Sequence, residues 1–128
     1  MQSPLDIIIM YGNYYRVSFV VREYVEDSGR IPFRDWLSQL DLAIRARVQA
    51  RVLRFETGNL GDHKEVGGGV WEARLDFGPG YRLYFGCRGN ELILLLLGGD
   101  KRSQKKDIKR AREFWVEYLK ESKSGKTQ

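Results

Sequence analysis

The run Val70-Trp71-Glu72-Ala73-Arg74-Leu75-Asp76-Phe77-Gly78-Pro79-Gly80-Tyr81-Arg82-Leu83-Tyr84-Phe85-Gly86-Cys87 decides the fold. Its first half alternates: Trp71, Ala73, Leu75 and Phe77 are apolar, while Glu72, Arg74 and Asp76 are charged. That is the period of a strand. Gly78-Pro79-Gly80 reverses the chain, and Tyr81, Leu83, Phe85 and Cys87 then alternate with Arg82, Tyr84 and Arg88. The expected unit is an antiparallel hairpin whose two polar rows meet as one charged face. Arg88-Gly89-Asn90-Glu91 turns again into a segment, Glu91–Leu97, that is apolar on both sides and so reads as a central strand.

Upstream, Tyr14–Val25 alternates with Tyr15, Val17, Phe19 and Val21 on one side and further apolar residues on the other, which also reads as a central strand. Asp27-Ser28-Gly29 is a turn. Pro32 opens a helix carrying Phe33, Trp36, Leu37 and Leu40 at helical spacing. Asp41 can cap a second helix, with the stripe Ile44, Val48, Val52, Phe55 and a remainder of Arg45, Arg47, Arg51 and Arg54. Gly58 or Asn59 ends it. Downstream of the meander, Gly98-Gly99-Asp100 leads into a basic helix with Ser103 as N-cap and Ile108, Ala111, Trp115, Tyr118 and Leu119 as its apolar stripe. The boundaries read as a leader over 1–13, one domain over 14–121 and a basic tail over 122–128.

The 128 residues suit one domain with a core of its own, and one cysteine, Cys87, excludes an internal disulfide. No Cys/His cluster has metal-ligand spacing, and no apolar run nears the roughly 20 residues of a membrane span. A cytoplasmic protein without cofactor or membrane attachment is expected. The net charge of +5 is uneven: residues 1–100 hold 12 basic and 13 acidic side chains, and residues 101–128 hold 10 and 4. Such a cluster attracts polyanions, or is simply a solvated helix face.

Gly67-Gly68-Gly69 precedes a strand instead of following one, so no dinucleotide loop is present, and no nucleophile elbow occurs. Arginines between and opposite Glu72 and Asp76 point to salt bridges instead of paired-carboxylate chemistry. What remains is a sheet face with Arg74, Arg82, Arg88 and Tyr84, near loops holding His63, Lys64, Lys101 and Arg102. Guanidinium forks bind phosphates and can stabilise a pentavalent transition state. Tyr84, Tyr81 and Trp71 offer rings on which a base can stack. Such a face is either a binding surface or an active site.

Three runs carry a family resemblance: Gly61-Asp62-His63-Lys64-Glu65-Val66, the hairpin Val70–Phe85, and Leu95–Ile108 with its Gly-Gly-Asp-Lys-x-x-Gln-x-x-Asp-Ile pattern. Over about residues 14–120 the chain resembles HigB-like, partly phage-derived, addiction-module killer proteins of the RelE/ParE toxin superfamily. The resemblance implies an α+β, RelE-like fold: a small antiparallel-dominated sheet against an N-terminal helical hairpin and a C-terminal helix. It implies the toxin of a type II toxin-antitoxin system, a ribosome-dependent endoribonuclease that cuts messenger RNA without metal by 2′-hydroxyl attack on the adjacent phosphate. Arg82 then falls on the family's Gly-Tyr-Arg arginine, Arg74 on a basic residue one strand earlier, and Lys101 on one after the last strand. Glu72 stands where the best-studied nucleases keep a second lysine, and Asp107 near their tyrosine or histidine. His63 or Lys64 is left as proton carrier, since an arginine cannot act as base. Arg88, Arg102, Lys105, Lys106 and Lys109 are the expected RNA contacts beside Tyr84. The implied partners are the ribosome with its message and a cognate, commonly helix-turn-helix, antitoxin, with operator DNA bound only through the antitoxin complex. Two other readings stay open: a ParE-like gyrase poison, and a non-catalytic antitoxin-binding module, which Glu72 and Asp107 favour.

Overall fold

The computed structural model describes residues 18–89 and 92–123. The leader over 1–13, the strand's expected opening at Tyr14–Val17, the turn at Asn90-Glu91 and the tail beyond 123 lie outside the described residues. The elements run β1 (Val20–Glu23), α1 (Pro32–Ser38), α2 (Leu42–Phe55), β2 (His63–Glu65), β3 (Val70–Leu75), β4 (Tyr81–Arg88), β5 (Leu92–Gly99) and α3 (Gln104–Lys123). This is an α+β domain built on one five-stranded mixed sheet of order β1-β5-β4-β3-β2. Among the described residues only β1 with β5 is parallel; the other three pairings are antiparallel. No helix among the described residues is long and apolar enough to cross a membrane.

The hairpin β3–β4 forms where the alternation predicts, with Glu72 opposite Tyr84 and Arg74 opposite Arg82. β5 is central, between β1 and β4, as its double-sided apolar content requires. Its register with β4 shifts at Tyr84/Phe85, which leaves Leu96 extra and turns both Leu96 and Leu97 toward the same core. β1 is a correction: it is an edge strand of four residues, and Val20 is exposed. Apolar side chains on two sides identify a buried strand only when helices cover both faces along its length, and here β1 ends beside Leu95. β2 is a second difference, because residues read as loop pair with β3 in the register His63↔Ala73, Lys64↔Glu72.

Two cores flank the sheet. On one side Phe33, Leu37, Val48 and Phe55 from α1 and α2 meet Ala73, Leu83, Phe85 and Leu95. On the other, Ala111, Trp115 and Tyr118 of α3 meet Val70, Tyr84, Leu94 and Leu96. Each fully buried Leu or Phe contributes about 1.5–3 kcal/mol relative to exposure. Asp41 occupies the N-cap of α2 without a side-chain bond, and Gly58, not Asn59, takes the left-handed conformation after it. The arginines of α2 are tethered: Arg45 donates to the carbonyls of Ser38 and Leu40, Arg47 lies 3.5 Å over the Phe77 ring, and Arg51 donates to the carbonyls of Leu60, Asp62 and Arg74.

α3 sits close because Gly86 has no side chain: a Cβ there would lie 2.4 Å from the Trp115 ring. Gly86→Ala is therefore expected to lower stability by about 1–3 kcal/mol, the usual cost of overpacking. Urea unfolding should show a lower midpoint at unchanged slope; an unaltered midpoint would mean that α3 yields freely.

Candidate functional site

Residues directly opposite in adjacent strands share a face. Lys64, Glu72 and Tyr84 form one such row and Arg74 and Arg82 the next, both on the side covered by α3. α3 packs over Tyr84 and Gly86 in the middle of that face, and Glu72 is buried there, while Lys64 at the β2 edge, Arg88 at the far end of β4 and Arg74 at the near end stay wholly or partly exposed. At that near end the Gly78-Pro79-Gly80 turn, the end of β5 and the start of α3 converge. The Lys101 amide donates to the Pro79 carbonyl at 3.3 Å, and a Cβ at Gly80 would lie 2.9 Å from Arg82 Nη1 and 3.5 Å from Lys101 Cβ. Three cations, Arg74, Arg82 and Lys101, are thus gathered at one end of the sheet.

Their states differ. Arg82 is 8% exposed; its Nη1 donates to the Gly80 carbonyl at 2.5 Å and its Nε lies 3.7 Å from Glu72 Oε2. Glu72 is wholly buried and accepts a hydrogen bond from Gln104 Nε2 at 2.9 Å. Arg74 faces Asp62, with Nε–Oδ2 and Nη2–Oδ1 both at 3.2 Å, and its side chain is 39% exposed. An ion pair this open contributes about 0–1 kcal/mol, so an incoming phosphate can replace Asp62 at little cost. Lys101 and Lys64 are exposed.

Five expected site residues are placed elsewhere. Tyr84 is wholly buried beside Glu72, its hydroxyl without a hydrogen-bond partner, and burial followed by the Glu72 charge pushes its phenol far up. It offers no ring to a base. Trp71 and Tyr81 are also buried, on the other side of the sheet. His63 pairs with Ala73 and therefore lies on that other side, its Nδ1 2.8 Å from the Gly61 carbonyl oxygen and its ring 5.8 Å from Trp71. Lys64, one residue on, is the member of that pair which joins the Arg82 side. Arg88 shares the face but lies six residues along β4, about 20 Å away at strand rise. It donates to Ser122 Oγ at 2.6 Å and lies 5.9 Å over the Tyr118 ring. Arg102, Lys105, Lys106 and Lys109 are exposed, near the start of α3 and away from its buried stripe.

Gln104 and Arg51 were not singled out from the sequence as site or clamp residues. The only cue was Gln104's place in the Lys-x-x-Gln pattern. Asp107 is buried, and Ser103 Oγ donates to its Oδ2 at 2.5 Å. It stands against Gly99, where a Cβ would lie 1.9 Å from Oδ2. Asp107 and Gly99 help line a recess of about 700 Å³ that extends past Trp36, Tyr81 and Arg110. Cys87 is a buried free thiol pushed up to about 12 by burial, which makes it a packing residue. Among the described residues, Asp27, Glu117 and Glu121 bring carboxylate oxygens within 4.8 Å of one another, but they are outside this cluster and largely exposed.

No family model and no solved structure matches the chain. Over 83 residues it is 46% identical to an uncharacterized protein of Haemophilus influenzae, a match spanning 64% of this chain and 84% of that relative. The chain belongs to that protein's family.

Burial raises the Asp107 carboxyl above its ordinary value, against the opposing bond from Ser103. Its contribution to stability is therefore fully present below about pH 4, where the unfolded carboxyl is protonated too, and is lost as the pH rises through the folded pKa. Relative to Asp107→Asn, the wild type should lose stability as the pH climbs above about 4. Parallel stability curves for the two proteins would remove Asp107 from this account.

Proposed function

We propose that the chain is the toxin of a type II toxin-antitoxin system, with the RelE-like fold in which α1 and α2 make the N-terminal helical hairpin. Its chemistry is metal-independent cleavage of messenger RNA on the ribosome. The carrying observation is the convergence of Arg74, Arg82 and Lys101 where the Gly78-Pro79-Gly80 turn meets the end of β5 and the start of α3. In this reading a ribose 2′-oxygen attacks the adjacent phosphorus, the P–O5′ bond breaks, and the products are a 2′,3′-cyclic phosphate and a 5′-hydroxyl. Arg82 and Arg74 grip the phosphate oxygens and stabilise the added charge of the transition state. Lys101 neutralises the same group from the turn after β5. Lys64, opposite Glu72 on that face, takes the 2′-hydroxyl proton and returns it to O5′ in this reading, whereas His63 is on the other face.

Lys105, Lys106 and Lys109 extend positive charge along the exposed face of α3 and contact further phosphates of message or ribosomal RNA. The cognate antitoxin covers the cationic end or the basic helix face, and the pair reaches operator DNA through the antitoxin. A second reading, a non-catalytic module held by the antitoxin, draws on the burial of Tyr84 and on the negative charge of Glu72 inside the cluster.

The decisive experiment is 5′-end mapping of cellular messages soon after induction. The wild type should create new ends within translated frames. Arg74→Ala and Lys101→Ala, both at exposed or half-exposed positions, should each reduce them by roughly 10²–10³-fold, the scale of losing one transition-state charge ligand. Growth arrest without new ends would favour a protein target such as gyrase, and neither effect would favour the binding module. In a separate titration, Lys105→Gln, Lys106→Gln and Lys109→Gln together should lower the salt slope of ribosome binding by about 2–3. An unchanged slope would return these lysines to a solvated face.

A further inference from the structure

Arg82 is hydrogen-bonded at one of its three guanidinium nitrogens and ion-paired at a second. Nη1 donates to the Gly80 carbonyl, Nε faces the Glu72 carboxylate at 3.7 Å, and Nη2 is the nitrogen with no bond to the described residues. Glu72 is itself held from α3 by Gln104 Nε2 at 2.9 Å. The carboxylate stands beside a core made of Val70, Tyr84, Leu94, Leu96, Ala111 and Trp115. An ion pair enclosed in this way is weak evidence for stability, because desolvation of two charges offsets most of their attraction and apolar residues of similar volume serve as well. Its arrangement also leaves slack. Glu72 Oε1 and Arg82 Nε are both buried without a hydrogen-bond partner, and 3.7 Å is an ion-pair distance, too long for a hydrogen bond.

From these contacts we infer that Glu72 is a positioning residue for Arg82, aligning the guanidinium so that Nη2 meets a phosphodiester at the open end of the sheet. The inference rests on the ribonuclease reading. A planar fork recognises phosphate only at the right orientation, and a flexible arginine stem does not supply that orientation alone. The Gly80 carbonyl sets the direction of Nη1, and the Glu72 charge draws the Nε side inward. Long contacts of this kind tighten once the ligand is bound. Gln104 carries the constraint to the first turn of α3, so helix and hairpin jointly fix one cation. Glu72 does not touch the substrate in this scheme and acts only through Arg82.

The test uses Glu72→Gln, which keeps the size of the side chain and removes its charge. Single-turnover cleavage of programmed ribosomes should slow by about 10–100-fold, with ribosome affinity changed less than about twofold. Glu72→Asp, which retains the charge, should recover part of the rate. In an Arg82→Ala background the Glu72→Gln change should cost nothing further, because the residue it orients is gone; additive losses would show a merely structural role. A second readout does not depend on cleavage. The Arg82 Nε–H should give a slowly exchanging nitrogen-15 resonance that is lost in Glu72→Gln while the backbone amide spectrum is retained. Wild-type cleavage matched by Glu72→Gln overturns the positioning role, as does persistence of that resonance in the variant. Absence of wild-type cleavage overturns the ribonuclease reading, and the resonance then decides separately whether Glu72 orients Arg82.

Discussion

Trp115 lies against the backbone of Gly86, and this contact determines which part of the sheet's charged face stays open. With the helix seated there, Tyr84 and Glu72 are sealed beneath α3, and Arg88 is drawn to the far end of the helix by Ser122. The polar row on β3 and β4 is then a surface only in part: Glu72, Tyr84 and Arg82 are buried, while Arg74 and Lys101 at one end and Arg88 at the other remain accessible. A helix one ring's thickness farther out would leave the same side chains as a broad basic face with quite different chemistry.

The basic side chains fall into two groups with different physical roles. Arg45, Arg47 and Arg51 are tied to carbonyl oxygens or an aromatic ring, where they satisfy backbone acceptors at the ends of α1, α2 and β3. Arginine suits that role because its fork can reach several carbonyls at once, as Arg51 does with Leu60, Asp62 and Arg74. Among the described residues, the second group, Arg74, Lys101 and the lysines at the start of α3, is either unpaired or paired only in the open. Arg82 belongs to both: it is nearly buried, doubly held and still at the rim. That combination gives a cation fixed in direction at a point where an anion can approach.

The two buried carboxylates illustrate how environment separates like groups. Asp107 has a single hydroxyl donor and a close backbone neighbour, and burial favours its neutral form. Glu72 instead has an amide donor and a guanidinium beside its carboxylate. Asp107 stands against Gly99, the strand partner of Arg82, and Glu72 lies one cross-strand row farther along, opposite Tyr84.

Much of the fold was legible from local chemistry. The alternation over Val70–Cys87, the Gly78-Pro79-Gly80 reversal, the double-sided apolar β5 and the stripe of α3 identified strands, turn and helix, because period and turn residues act over a few positions. The cross-strand meeting of Arg74 and Arg82 followed from the same period. What the sequence determined was thus the long elements and which residues of a strand share a side, but not β2, whose three residues read as loop. Tertiary structure alone decided the rest: which sheet side α3 covers, that His63 and Lys64 part to opposite sides through a three-residue pairing with β3, and that β1 is a parallel edge. Those outcomes depend on contacts between residues distant in the chain, whose free energy comes from burying surfaces against each other. A polar residue such as Tyr84 or Glu72 goes inside when its neighbours' burial outweighs the cost of taking it there, and no local pattern records that balance.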